Sequence, residues 1–593
     1  MRQSQSTVTI FASLILMLLY AQVASTAPNP KLFEKCNRSA HDVCRKEDRS
    51  YSNEVPKVGS YMPWALIPLQ KVGFPAKQYI TIVNLTPHRF ILDRSRTHSY
   101  QMDTFDWDDV PQGRARQNTA EYTKHLVRAR TNIPNDYPRR TIFDLSGMGL
   151  GQREYLDAGK EAAVTLVITG SDSYGFIASL RHGPGNWMKG LYDVIKDRQV
   201  QHIFMPATHD SGMSRISNKI ASVGTEPNTQ TQGLNIYDQL RAGARVFDLR
   251  VGSVHRLANK NDYSFWTMHL GDEKADVVIG NTGESLDDVI REVNQFTAEY
   301  PGEIILFRVR YLIGMLEVPA NGPIYWNTDI VIDFFGKLRG VDNRCGNLDP
   351  TIKFNEQKAS YFMDQNGGRG CVLFLLLGGN LNADVPQDSV ADGIYQTSRM
   401  DVWDNWSDLP DTEKMANDQV ADWKTVGRSG SFPNDDRFLI SQWLVSADPV
   451  TTTALSIENI GILPTNPALY WMGINNMSPE SWPTAVLVDF IGVVVNKQWD
   501  WDRLSAEMYA FAIGMNLYMI SENCNINPRR SPLLAAASKG SSAVNLASAW
   551  NGIMYANGTV INDPPPTLHP GRPSVLRNGT TFLNGTVFIY ADR

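Results

Sequence analysis

The sequence predicts an α/β protein built on a (β/α)8 TIM-like barrel, with an all-β, sandwich-like accessory domain ahead of it. Three observations carry this expectation. After residue 195, short apolar runs alternate with helical stretches, strand then helix, over roughly 300 residues, the size and rhythm of such a barrel. From Gln78 to Gly170 the runs are instead short and alternating, with proline, glycine and asparagine between them. Several of the runs after residue 195 end in His, Asp or Arg at a turn, the way parallel strands deliver polar side chains to a barrel's carboxyl face.

Taken in order, the chain opens with Arg2, a polar stretch, and an almost unbroken apolar run from Ile10 to Tyr20. Small residues follow at Ala21, Ala24, Ser25 and Ala27. This reads as a signal peptide over residues 1–27, and its core is too short to span a bilayer. A secreted, extracellular protein is the expectation. No later apolar run reaches the ~18 residues a transmembrane helix needs, and the end Tyr590-Ala591-Asp592-Arg593 lacks a lipid-anchor signal. N-x-S/T sequons at Asn37, Asn84, Asn405, Asn476, Asn557, Asn578 and Asn584 agree with secretion. Of the five cysteines, Cys36 and Cys44 are close enough to pair, Cys345 with Cys371 is possible, and Cys524 is left over; no spacing resembles a zinc site.

Residues 28–75 read as a polar lead-in. Residues 76–175 form the β domain, with Tyr79–Leu85 and Ala163–Ile168 as its clearest strands. A packing or stability module is its first reading and a sugar- or lipid-binding accessory its second, since fold alone assigns no function. The barrel occupies 195–522, with strands expected at 201–206, 244–250, 265–270, 303–311, 371–377, 400–404, 437–445 and 485–492. Helices are expected over Ser285–Tyr300, Asn327–Arg339 and Asp411–Val426; Ser285 followed by Asp287-Asp288 has the form of an N-cap and acidic first turn. Glu507 to Ile520 reads as a closing amphipathic helix. A C-terminal extension, 523–593, ends in β-like runs at Thr580–Leu583 and Val587–Tyr590, which could return to the N-terminal module.

Composition narrows the function classes. Apolar residues at 42% and charged residues at 20% describe a globular chain, and a net charge of −6 gives no footprint for nucleic acid. With only 10 histidines, those at strand ends stand out. Met205-Pro206-Ala207-Thr208-His209-Asp210-Ser211-Gly212 places a histidine and an aspartate side by side where an apolar run meets a turn. In Ala244–Arg250, Asp248 and Arg250 fall on one face, a pairing that burial demands and that can also aim a guanidinium at an anion. Phe265–Gly271 carries His269, Glu303–Arg310 carries two arginines, Gly367-Gly368-Arg369-Gly370 precedes a strand, Asp401–Asn405 carries Asp404, and Ala485–Ile491 is apolar apart from Asp489. One carboxyl face would gather these into a single pocket. Two histidines, carboxylates to orient them and an arginine suit acid–base attack on a phosphodiester.

Thr208-His209-Asp210-Ser211, Phe247-Asp248-Leu249-Arg250, Met268-His269-Leu270-Gly271 and Pro301-Gly302-Glu303-Ile304-Ile305 together resemble the X-domain of phosphatidylinositol-specific phospholipases C, most strongly its bacterial, single-domain branch, over roughly residues 195–500. The resemblance implies His209 as the general base on the inositol 2-hydroxyl, giving a cyclic inositol phosphate and diacylglycerol. It implies His269 as the general acid with Asp210 as its partner, and Asp489 as the carboxylate that orients His209. Arg369 and Asp404 resemble inositol-binding residues, and Arg310 is a further pocket candidate. Arg369, among glycines, also fits a solvated turn, and Asp404 shares its stretch with the sequon at Asn405.

The resemblance also implies that Arg250, held by Asp248, stands where the eukaryotic branch places calcium-binding carboxylates. No metal and no cofactor is therefore expected. The implied partner is a phospholipid at a membrane surface, met peripherally and transiently, and an aromatic loop from Tyr470-Trp471-Met472 to Trp482 could dip into that interface. Two rivals stand: an enzyme acting on another lipid or glycosyl-phosphatidylinositol phosphodiester, and a catalytically silent secreted lipid- or glycan-binding protein.

Overall fold

A computed structural model describes the protein at residues 77–86, 98–99, 110–121, 139–144, 152–157, 162–171 and 175–179, most of 185–521, and 523, 526, 553–554, 560–561, 579–581 and 587–589. Within 185–521, residues 221, 223, 272–279, 319–322, 378–387, 427–435, 447–451, 453–455 and 494–506 fall outside the description. The signal segment, the lead-in, Cys36, Cys44, Cys524 and the sequons at Asn37, Asn557, Asn578 and Asn584 also lie outside the described residues.

In the N-terminal region β1 (Lys77–Leu85), β2 (Arg114–Glu121), β3 (Ala162–Ser171) and β4 (Gly175–Ala178) form a sheet in the order β2-β1-β3-β4. A separate antiparallel sheet joins His98–Ser99, Arg139–Asp144 and Gln152–Asp157. Asn84 is buried in β1 and its Nδ2 donates to Val110 O at 2.9 Å, so this sequon has no surface position. The C-terminal runs Gly579–Thr581 and Val587–Ile589 pair with each other, and the second pairs with Ile553–Met554, in a sheet of their own.

The barrel is a curled sheet of eight parallel strands. They are β5 (Met205–Thr208), β6 (Val246–His255), β9 (Glu303–Leu316), β10 (Gly370–Leu376), β11 (Ile394–Gln396), β12 (Val402–Asn405), β13 (Phe438–Gln442) and β14 (Ala485–Val488); β7 (Tyr263–Leu270) and β8 (Gly280–Ser285) lie between β6 and β9 in sequence. The spatial order is β11-β10-β9-β6-β5-β14-β13-β12, every neighbouring pair parallel, with the ring open between β11 and β12. The first helices follow the expected bounds closely. In α1 (Leu286–Glu299), α2 (Thr328–Leu338) and α3 (Thr412–Thr425) the side chains of Ser285, Asn327 and Asp411 accept from the backbone N–H three residues on, which fixes where each helix starts.

The run at 265–270 is not a barrel strand. β6 and β9 overrun the barrel mouth, and β7 returns antiparallel to the overrun, Thr267 facing Val251 and Tyr263 facing His255, before pairing antiparallel with β8. The missing parallel strand is β11, whose three residues are too few for periodicity to reveal.

α4 (Glu507–Gly514), with the wider turn that continues it to Met519, is not the amphipathic helix that the sequence suggests. This stretch is buried on every side. One side meets the barrel: Phe511 packs on Phe204 with centroids 4.6 Å apart, and Asn516 bonds the Phe204 backbone N and O at 3.0 and 2.8 Å. The other meets β1, where Gly514 sits so close to Leu85 that a Cβ would lie 2.5 Å from it. A helix covered on both sides needs no polar face. The four-stranded sheet and the barrel consequently share one apolar core.

Tyr470, Trp471, Met472 and Trp482 are likewise buried, and the neighbouring Asn475 exchanges hydrogen bonds of 3.0 and 3.1 Å with the Ala115 backbone of β2. These aromatics are packing residues and not a membrane-dipping loop. A disulfide joins Cys345 to Cys371 at the start of β10. Among the described residues no helix is long and apolar enough to cross a membrane.

Candidate active site

β5 ends at Thr208 and hands the next residues to a loop at the carboxyl mouth. Asp210 takes the left-handed conformation, φ +41°, which turns its carboxylate inward, where it is fully buried. Gly212 follows against β7, and a Cβ there would lie 2.2 Å from Thr267 Cγ2, so only glycine lets the loop pass. From β14, Asp489 reaches across to place Oδ1 2.9 Å from His209 Nδ1. On the other side of the ring, His209 Nε2 accepts from Arg250 Nη2 at 2.8 Å. The imidazole is thus held at both nitrogens, with the proton on Nδ1.

Arg250 is the centre of the cluster. It pairs with Asp210 through Nε and with Asp248 at 3.1 Å, and its Nη1 donates to Tyr311 Oη at 3.2 Å. Arg310, level with Arg250 on the adjoining strand, grips the other oxygen of Asp248 at 3.1 Å. Burial on its own would raise the Asp248 pKa, but Arg250 and Arg310 outweigh it and hold the carboxyl well below the usual range. The same carboxylates hold the Arg250 guanidinium well above its ordinary value, against burial.

His269 comes down on the returning strand β7. Its Nδ1 donates to Thr229 O at 2.9 Å and lies 3.3 Å from Asp210 Oδ2, leaving Nε2 as its working nitrogen. The two imidazoles face each other with centroids 6.2 Å apart, a gap suited to one small group between them.

Their electrostatics differ. For His209, burial is outweighed by Asp210 and Asp489, so its pKa is raised. For His269, burial is joined by Arg250 and His209 and prevails over Asp210, so its pKa is lowered. In the free protein His209 should therefore titrate at higher pH than His269. Carbon-13 NMR of labelled histidine, assigned through His209→Ala and His269→Ala, reads the order directly, and the reverse order would contradict this account of the fields.

The structure thus brings His209, Asp210, Asp248, Arg250, His269, Arg310 and Asp489 together. Asp404 sits at the same mouth, bound to Arg308 Nη1 at 2.8 Å and to Gln442 Nε2 at 2.6 Å. Arg369 is not brought to the site. It immediately precedes β10 at the amino end of the sheet, its carbonyl accepting from Gly302 N at 2.7 Å, and there it is exposed and its Nη2 lies 3.5 Å from Thr297 O. A residue ahead of a parallel strand lies on the face opposite the carboxyl mouth, so its position was legible from the sequence.

Sequence reasoning missed Arg308 and Tyr311. Arg308 adds to the pull on Asp248 and carries Asp404. Tyr311 reaches Arg250 because a bulge at Tyr311-Leu312, both at positive φ, turns its ring inward, and its Oη also donates to Leu270 O at 2.8 Å. No residue pattern announces that bulge.

Comparison with known proteins finds X-domain relatives. A PI-PLC X-box domain-containing protein of Dictyostelium discoideum is 24% identical over 181 residues, 28% of this chain and 22% of that protein. Human PI-PLC X domain-containing protein 1 is 24% identical over 157 residues, 23% of this chain and 45% of that protein. The barrel is PI-PLC X-domain-like. The matches span less than half the length of either curated relative. The solved phosphatidylinositol-specific phospholipases C of S. aureus and Listeria monocytogenes superpose on 56% of this chain with TM-scores of 0.36 and 0.33 at 15% and 14% identity, covering 97% and 98% of those chains. No family profile matches the chain. In this PI-PLC X-like barrel the N-terminal sheet and the C-terminal extension fall outside the resemblance drawn from the motifs.

Proposed function

We propose that the protein is a phospholipase C-type phosphodiesterase that cleaves phosphatidylinositol without a metal. One observation carries the reading: two histidines face each other across a gap, each oriented by its own carboxylate, with the guanidinium of Arg250 fixed beside both. A bound phosphodiester would draw Arg250's donors onto its oxygens and free His209 Nε2. Its negative charge would favour the protonated form of His269.

His209 Nε2 then takes the proton of the inositol 2-hydroxyl as that oxygen bonds to phosphorus. The bond from phosphorus to the glycerol oxygen breaks, and His269 Nε2 protonates the departing oxygen. The products are cyclic inositol phosphate and diacylglycerol. Arg250 neutralises charge on the phosphorane oxygens with a fixed fork. Arg310, Arg308 and Asp404 line the mouth where inositol hydroxyls would lie.

A second reading has a specific observation behind it. His209, Asp210 and Asp248 each offer a ligand atom within 4.8 Å of the others, a grouping able to hold a cation. Arg250 weighs against it, because its guanidinium already contacts all three and would repel a divalent ion. Phosphorus NMR of phosphatidylinositol vesicles separates the two. The arginine reading expects cyclic inositol phosphate to form at the same rate with EDTA as without, and loss with EDTA restored by calcium or magnesium would overturn it. Failure to cleave phosphatidylinositol, with turnover of another phosphodiester, would favour the first rival.

Secretion belongs to the same proposal. The apolar leader Ile10–Tyr20 and the Cys345–Cys371 disulfide support an oxidising, extracellular setting.

A further inference from the structure

Thr229-Gln230-Thr231-Gln232 is a run of four polar residues buried as deeply as the apolar core. Burying polar side chains costs stability unless each finds partners, so where their hydrogen bonds go is informative. Gln232 Nε2 donates to His209 O at 2.8 Å and to Val488 O at 3.0 Å, and its Oε1 accepts from Ile491 N at 3.2 Å. One amide therefore ties the backbone that carries His209 to the backbone on both sides of Asp489. The neighbours reinforce it. Thr231 Oγ1 donates to Asp210 O at 3.2 Å, and Thr231 O accepts from Phe490 N at 2.8 Å, where Phe490 is held at φ +48°. Thr229 O fixes His269 Nδ1 at 2.9 Å.

We propose that Gln232 is a positioning residue for the reaction, clamping the loop of His209 to the turn of Asp489 so that imidazole and carboxylate are in register before substrate arrives. The inference rests on the reading of His209 as general base. Both partners stand in loops just past short strands, β5 and β14, and parallel pairing ends at Thr208 and Val488. Beyond that point a single backbone bond, His209 N to Val488 O at 3.1 Å, continues the ladder, and the Gln232 amide braces it by bonding the His209 and Val488 carbonyls and the Ile491 N–H past Asp489. A catalytic pair held by an unsupported loop would lose its geometry readily. Because the bonds go to backbone atoms, the clamp acts without touching substrate.

The test uses the full chain with three variants. Gln232→Met keeps volume and removes all three bonds; Gln232→Glu keeps the shape and the acceptor but not, when ionised, the donors. Asn516→Ala removes a buried amide that bonds the Phe204 backbone away from the site. The expected result is a 10–100-fold fall in kcat for both Gln232 variants, with KM unchanged and, in Gln232→Met, which adds no charge, the His209 titration moved down as Asp489 loosens its hold. Asn516→Ala should lower thermal stability while leaving kcat and that titration in place. Folded Gln232 variants that keep wild-type kcat would overturn the proposal. So would a fall in kcat with the His209 titration unmoved, which marks a merely structural role. If the wild type cleaves no phosphatidylinositol, the functional reading fails, yet the titration still decides the clamp.

Discussion

Replacing either His209 or His269 with alanine is expected to lower turnover of phosphatidylinositol by about 10²–10⁴-fold. The double variant should cost little more than the worse single, because base and acid act in one step and their losses do not add. The two singles can still be told apart. With a leaving group acidic enough to depart as its anion, protonation is no longer needed, so His269→Ala should recover much of its activity while His209→Ala should not. Equal recovery by both, or recovery by His209→Ala alone, would show that the roles are assigned the wrong way round. The geometry argues for the stated order. His209 is held by Asp489 at Nδ1, the arrangement of a base that must gain a proton and keep it. His269 shares its Nδ1 between a backbone carbonyl and the carboxylate of Asp210, which also faces Arg250.

How far the sequence discloses this site depends on what kind of interaction fixes each residue. Residues at strand ends are set by the barrel itself, and the motifs around His209, Asp248, Arg250 and Asp489 could be placed from periodicity alone. The helix bounds were legible because Ser285, Asn327 and Asp411 are N-caps with a local mechanism. Non-local features were hidden. His269 arrives on an antiparallel return strand, yet its apolar run looks like any other buried strand. Tyr311 depends on a bulge, and no local pattern announces that Gln232 and its polar neighbours are buried. The apolar stretch from Glu507 looks amphipathic in the sequence because nothing local says that a sheet from the far end of the chain covers its second face.

Substitution at Arg250 should bring the other large effect, and its two forms separate chemistry from stability. Arg250→Lys keeps a positive charge but exchanges a rigid fork for a point donor. It cannot reach Asp210, Asp248, Tyr311 and the phosphate together, and a loss of about 10²–10³ in kcat is expected, the cost of a misplaced oxyanion donor. Arg250→Ala also strands the buried Asp248 with only Arg310 as a close partner, and breaking a buried pair in this way costs about 3–5 kcal/mol. That stability term carries a pH signature. The Asp248 carboxyl has a folded pKa below its unfolded one, so its stabilisation is present above about pH 4 and fades as the pH falls through the folded value. Without Arg250 the folded pKa rises, and the gap between wild type and Arg250→Ala should be widest near neutrality and narrow below about pH 4. Urea unfolding across that range measures it. A gap independent of pH would mean that Arg250 holds the site by packing on Tyr311 rather than by charge, and the case for a guanidinium in place of a metal would lose its electrostatic basis.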